Sequence, residues 1–120
     1  MRSILFKAKK LSDGKWVKGS LVKTPFGTFI EWYEDSICNK REVDTDTVCQ
    51  FTGLKDCEGS GLFEHDLIHF VGFNHTAEVI WSEGNCAFMA VFENKHSYWL
   101  HDVIKTCKIE KIGNKFDKEK

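Results

Sequence analysis

Leu67-Ile68-His69-Phe70-Val71-Gly72-Phe73, then Ala77-Glu78-Val79-Ile80-Trp81, then Cys86-Ala87-Phe88-Met89-Ala90-Val91-Phe92 form the stretch on which the fold turns. Each run is short and rich in β-branched and aromatic side chains, which suit a pleated surface. The third run has no polar face, so it is expected to be a central strand buried on both sides. Ser82-Glu83-Gly84-Asn85, between the second and third runs, is turn chemistry.

The same alternation of strand formers and turn residues continues outward. Ile4 to Lys9 reads as a first strand, Ser12-Asp13-Gly14-Lys15 as a turn and Trp16 to Val22 as the return strand of a hairpin. Thr28 to Tyr33 is a third strand, and the polar run from Asp35 to Asp46 reads as loop. Thr45 to Val48 fits a single helical turn. Val48 to Thr52 and Gly61 to Phe63 flank Lys55-Asp56-Cys57-Glu58-Gly59, a hairpin loop with glycine near its end. Helix signals are thin: His101 to Thr106 fits one or two turns, with Leu100, Val103 and Ile104 on one side. Lys108 to Gly113 reads as a late strand. Six to nine short strands are expected. The fold class is mainly β: a single small barrel-like domain over residues 1–114, for which an SH3-like core is one form, with one or two short helical turns. Residues 115–120 read as a frayed basic tail.

A chain of 120 residues has room for one domain and one core. Hydrophobic residues at 42% argue against general disorder. The longest apolar run, Cys86 to Phe92, is too short for a bilayer, which needs about 20 residues. No signal-peptide core follows Met1, and five cysteines without paired spacing are expected to stay thiols in a reducing cytoplasm.

The net charge of −1 hides a pattern. Residues 1–23 carry seven basic side chains and one acid, a net +6. Residues 24–104 carry four basic and fourteen acidic, a net −10. Residues 105–120 carry six lysines and three acids, a net +3. In the plainer reading, folding brings these segments together and the fields cancel. In the sharper one, opposite patches on neighbouring copies or on a charged partner meet.

Candidate chemistry is sparse. His65 and His69 have the spacing of a helical metal pair, but the run reads as turn then strand and supplies too few ligands. Cys49 and Cys57 flank the hairpin, with a buried inert thiol as the plainer reading. Glu64 and Asp66 would share a strand face as an acid–base pair, yet across a tight turn carboxylates more often hold backbone N–H groups. Trp16, Trp32, Trp81 and Trp99 would suit base stacking, but the middle of the chain is acidic. No catalytic residue, metal ligand or cofactor is assigned.

The run Thr47-Val48-Cys49-Gln50-Phe51-Thr52-Gly53-Leu54-Lys55-Asp56, followed by Phe63-Glu64-His65-Asp66-Leu67-Ile68, resembles the YopX family of phage and prophage proteins. So do the opening Ile4 to Lys10 with Gly14 to Gly19, and the closing Ile109 to Asn114. The resemblance implies a mainly β fold of complex topology, no assigned activity, phage or prophage origin and work in the bacterial cytoplasm. It marks Gln50, Thr52, Gly53, Leu54, Asp56, Glu64, His65 and Asp66 as motif residues. Gly53 and Gly59 are expected to bracket a tight hairpin, and Thr52 and Asp56 to hydrogen-bond turn backbone. Gln50, a large amide in an apolar context, needs partners if buried. His65 stands where the family usually has Gly or Asn, so left-handed backbone is expected there.

The expected function is that of a non-enzymatic binding or assembly module. It would self-associate as a homo-oligomer or meet a phage or host protein, without a membrane. The alternative is a nucleic-acid-associated accessory protein placing Arg2, Lys7, Lys9, Lys10 and Lys18 on phosphates.

Overall fold

The computed structural model describes residues 4–117. Arg2 and the last three residues of the expected frayed tail therefore lie outside the described residues. The chain groups into two units, residues 1–51 and 52–120.

In the first unit, β1 (Phe6–Lys9), β2 (Trp16–Thr24), β3 (Gly27–Glu34) and β4 (Ile37–Glu42) form an antiparallel meander in the order β4-β3-β2-β1. A 3-10 turn, Thr45–Thr47, leads into β5 (Cys49–Lys55), which pairs with β1 through Phe6–Gln50 and Lys7–Cys49. The core is Ala8, Ile30 and Val43, with Phe6, Val17, Leu21, Trp32 and Val48 against it. At Gly19 the strands crowd: a Cβ there would fall on the backbone carbonyl of Glu31.

Strand β4 corrects the loop expected at 35–46. Asp35 and Ser36 have φ 51° and 67° and join Glu34 to Ile37 across a two-residue turn. Positive φ at both central residues matches the twist of a hairpin. The strand has no apolar alternation in its sequence because five of its six side chains are exposed.

In the second unit, β5 runs on and β6 (Gly61–Phe63) lies beside it. A five-stranded antiparallel sheet follows in the order β10-β9-β8-β7-β11. Its strands are β7 (Asp66–Phe70), β8 (Thr76–Ser82), β9 (Ala87–Phe92), β10 (Ser97–Trp99) and β11 (Ile109–Asn114). Helix α1 (Leu100–Thr106) packs Leu100 and Val103 into a core with Leu62, Ile68, Phe70, Ala77, Val79, Ala90 and Ile109. The run from Ala87 to Phe92 pairs along its length with β8 and over Met89–Val91 with β10, and Met89 and Ala90, on opposite faces, are both buried. Cys86 falls in the preceding turn with φ 50°.

The class is mainly β, as expected, but eleven strands are described against the six to nine expected. The barrel is not closed. Among the described residues the end strands pair in neither strand order. The first sheet curls only as far as one bridge, Lys10 to Val43, supported by Leu11 N–H on the Glu42 carbonyl and Asp44 N–H on that of Lys9. Residues 115–117 of the expected tail form a 3-10 turn instead of fraying. The Asn114 Oδ1 accepts from Phe116 N–H at 2.9 Å, and Asp117 Oδ2 accepts from Asn114 N–H at 2.8 Å.

Candidate functional site

Three motif residues of the second unit, Asp56, Glu64 and Asp66, meet strand β11. Asp56 opens the turn between β5 and β6. Its Oδ1 accepts from Glu58 N–H and Ser60 N–H, each at 2.9 Å. Its Oδ2 accepts from Lys111 N–H, 55 residues away, at 2.9 Å. Next to it, Cys57 N–H donates to the Ile109 carbonyl at 2.8 Å. The outer edge of β11 is therefore occupied by a turn. The carboxylate takes a place that a neighbouring strand's carbonyl would take, which blunts an edge that would otherwise invite pairing. Burial alone would raise the Asp56 pKa. The three N–H groups from Lys111, Ser60 and Glu58 outweigh it and hold the carboxyl below its usual range.

Asp66 opens β7 and is fully buried, at 0% exposure. Its Oδ2 accepts from Phe63 N–H at 2.7 Å and its Oδ1 from Asn114 Nδ2 at 2.8 Å. The Lys111 ammonium stands 3.6 Å from Oδ2, donates to the Gly61 carbonyl at 2.7 Å and lies over the Phe63 ring. Asn114, also buried, donates to the Glu64 carbonyl at 3.2 Å. A buried charge is tolerable only with this kind of complete partnering.

Between them sits His65, with φ 69°. The left-handed backbone expected from the family resemblance is observed. It turns the chain from β6 into β7, so that Phe63 N–H reaches back to Asp66. His65 Nδ1 is 2.8 Å from Glu78 Oε2, its ring meets that of Phe116 edge-on, and its carbonyl accepts from Lys115 N–H at 2.8 Å.

The rest of the motif is distributed. Thr52 Oγ1 accepts from Leu54 N–H at 3.1 Å, and Leu54 packs against the second core. Gly53, with φ 87°, lies inside β5 and not at the hairpin's edge; Gly59, with φ 88°, sits in the turn as expected. Gln50 is half-buried in the first unit, opposite Phe6. Lys111 and Asn114 are the partners that sequence reasoning did not name. Their signal was present, because both lie in the closing run that resembles the family.

The basic residues of the first unit are placed differently from one another. Lys7 is buried, at 6% exposure, with its ammonium over the Trp16 ring, and Lys9 shares that ring. Lys10 pairs with Asp13 at 3.1 Å. The Asp13 carboxyl is held below its usual range chiefly by the Lys15 N–H, against the opposing effect of burial, with Lys10 adding to the lowering. Lys18 is exposed.

A concave feature lies in the second unit, a cleft of about 600 Å³ lined by the β7–β8 and β9–β10 connections. Phe92 and Tyr98 meet edge-on there, and His75, Glu93, Asn94 and His96 complete its polar wall. It contains none of the motif residues.

Together these features define a mainly β scaffold in which two aspartates and a left-handed histidine lock one turn region onto a closing strand. The family described as YopX protein matches residues 5–119, nearly the whole chain, and the chain belongs to that family. No curated protein matches it. Among the described residues no helix is long and apolar enough to cross a membrane.

Proposed function

We propose that the chain is a non-enzymatic binding and assembly module of phage or prophage origin that associates with a second copy of itself. The observation that carries this reading is the tip of the β3–β4 hairpin. Strand β4 ends its sheet, and the chain's return bridge to β1 begins only at Glu42 and Val43. Residues 37–40 thus form the outer edge of the hairpin. Tyr33 and Ile37, at 70% and 65% exposure, stand beside the turn. An edge strand flanked by large apolar side chains suits antiparallel addition of the same strand from a second copy about a two-fold axis. Lys40 and Arg41 further along the strand would limit indiscriminate pairing.

The motif supports a scaffold role over a catalytic one. Asp56 and Asp66 spend their lone pairs on backbone and amide donors, and Asp66 is sealed from solvent. The nucleic-acid alternative draws less support, since Lys7 is buried, Lys9 lies over Trp16 and Lys10 is paired.

Size-exclusion chromatography with light scattering tests the proposal. The wild-type chain is expected to run as a dimer that dissociates on dilution. The double variant Tyr33→Lys, Ile37→Lys is expected to run as a monomer with an unchanged far-UV spectrum. A wild-type monomer at the highest attainable concentration, or a dimeric double variant, overturns it. Binding to single- or double-stranded DNA that weakens steeply with salt would favour the alternative.

A further inference from the structure

Beside the β5–β6 turn lies a smaller cavity, about 260 Å³, lined by Lys55, Asp56, Cys57, Ile104, Cys107 and Ile109. Two of the five cysteines thus border one small space in the second unit. The Cys57 backbone is tied to the strand that follows Cys107. Cys57 N–H donates to the Ile109 carbonyl at 2.8 Å, and Cys107 is two residues before Ile109. Cys107 also closes the end of α1, where its N–H donates to the Val103 carbonyl. A disulfide needs Cα atoms roughly 4.4–6.8 Å apart, and movement of the exposed β5–β6 turn across this small shared cavity would bring the two thiols together. Access separates the two thiols: Cys57 is exposed and Cys107 half-buried. The other cysteines lie elsewhere, Cys38 on β4, Cys49 buried in β5 and Cys86 in the β8–β9 turn.

We propose that Cys57 and Cys107 form a peroxide-sensitive pair, with Cys57 the site of oxidation and Cys107 the resolving thiol. The Cys57 thiolate attacks one oxygen of hydrogen peroxide. The O–O bond breaks, water leaves after protonation, and Cys57 becomes a sulfenic acid. The Cys107 thiolate then attacks the Cys57 sulfur. The S–O bond breaks, a second water leaves and the disulfide forms. Overall, two thiols and one peroxide give one disulfide and two waters. The cross-link would staple the Asp56 turn to the end of α1, across the contact that already joins Cys57 to Ile109.

The test uses the full-length, fully reduced chain treated with hydrogen peroxide, then alkylated and mapped by mass spectrometry without reduction. The wild type is expected to lose about 2 Da, two hydrogens, and to yield a peptide pair joined through Cys57 and Cys107. Cys107→Ser is expected to leave a sulfenic acid at Cys57 that dimedone traps. Cys57→Ser is expected to consume peroxide several-fold more slowly. Both variants replace side chains at the rim of the cavity, and an unchanged far-UV spectrum confirms folding. Absence of the cross-link, a different pairing, disulfides only between copies, or wild-type reactivity in Cys57→Ser overturns the proposal.

Discussion

Replacing Asp66 by alanine separates a framework role from a catalytic one. The carboxylate is fully buried and accepts from Phe63 N–H and Asn114 Nδ2, with the Lys111 ammonium 3.6 Å away. The substitution takes the acceptor away from two donors in a buried setting. Each such loss costs about 1–3 kcal/mol, so roughly 2–6 kcal/mol in all. The ammonium retains the Gly61 carbonyl as a partner, so its contribution is the smaller one. A loss near 4 kcal/mol is a large share of the roughly 5–15 kcal/mol that holds a domain folded. Asp66→Asn keeps the shape and one acceptor but turns an N–H toward a donor, so about half of that loss is expected. The assay is equilibrium urea unfolding followed by tryptophan fluorescence. With a slope of about 2 kcal/mol/M, Asp66→Ala should lower the midpoint by roughly 2 M and Asp66→Asn by roughly 1 M, with the slope unchanged. Residues held for catalysis commonly cost stability, and their removal commonly restores it. An Asp66→Ala variant as stable as the wild type, or more stable, would refute the framework reasoning.

Asp56 has a folded pKa below its unfolded one, so its contribution is present above the usual carboxylate range and is lost as pH falls through the folded value. The stability gap between wild type and Asp56→Ala should therefore be full at neutral pH and shrink below about pH 4 in unfolding curves taken across pH; a gap that widens in acid contradicts this. At His65, with φ 69°, a β-branched side chain is strained, so His65→Val should cost about 1–3 kcal/mol in urea unfolding. His65→Asn should cost less than His65→Val, because Asn tolerates this backbone; equal losses would assign the effect to the Glu78 and Phe116 contacts instead. Gly19→Ala should lower stability by about 1–3 kcal/mol, because the new methyl meets the Glu31 carbonyl; thermal unfolding at the wild-type midpoint would show that the strands part at no expense.

Much of this molecule was legible in one dimension. Strand formers at β1, β2, β3, β7, β8, β9 and β11 announce themselves because burial on a pleated face demands apolar side chains at local spacing. The turn at Asp13-Gly14 is equally local, since φ is decided by one residue and its neighbours, whereas the left-handed His65 was expected from the Gly or Asn that the family usually has there. Strands β4 and β10 were not legible. Their side chains are nearly all exposed, and they are strands only because β3 and β9 offer them ladders. The site is divided in the same way. That Asp56 and Asp66 hold backbone N–H groups near their turns could be read from residue type. That both converge on β11, 55 and 48 residues along the chain, and that Lys7 is buried beneath its charge, depends on contacts between distant segments. Spacing carries no trace of such contacts, because they form only when the sheet brings the closing strand beside the turn.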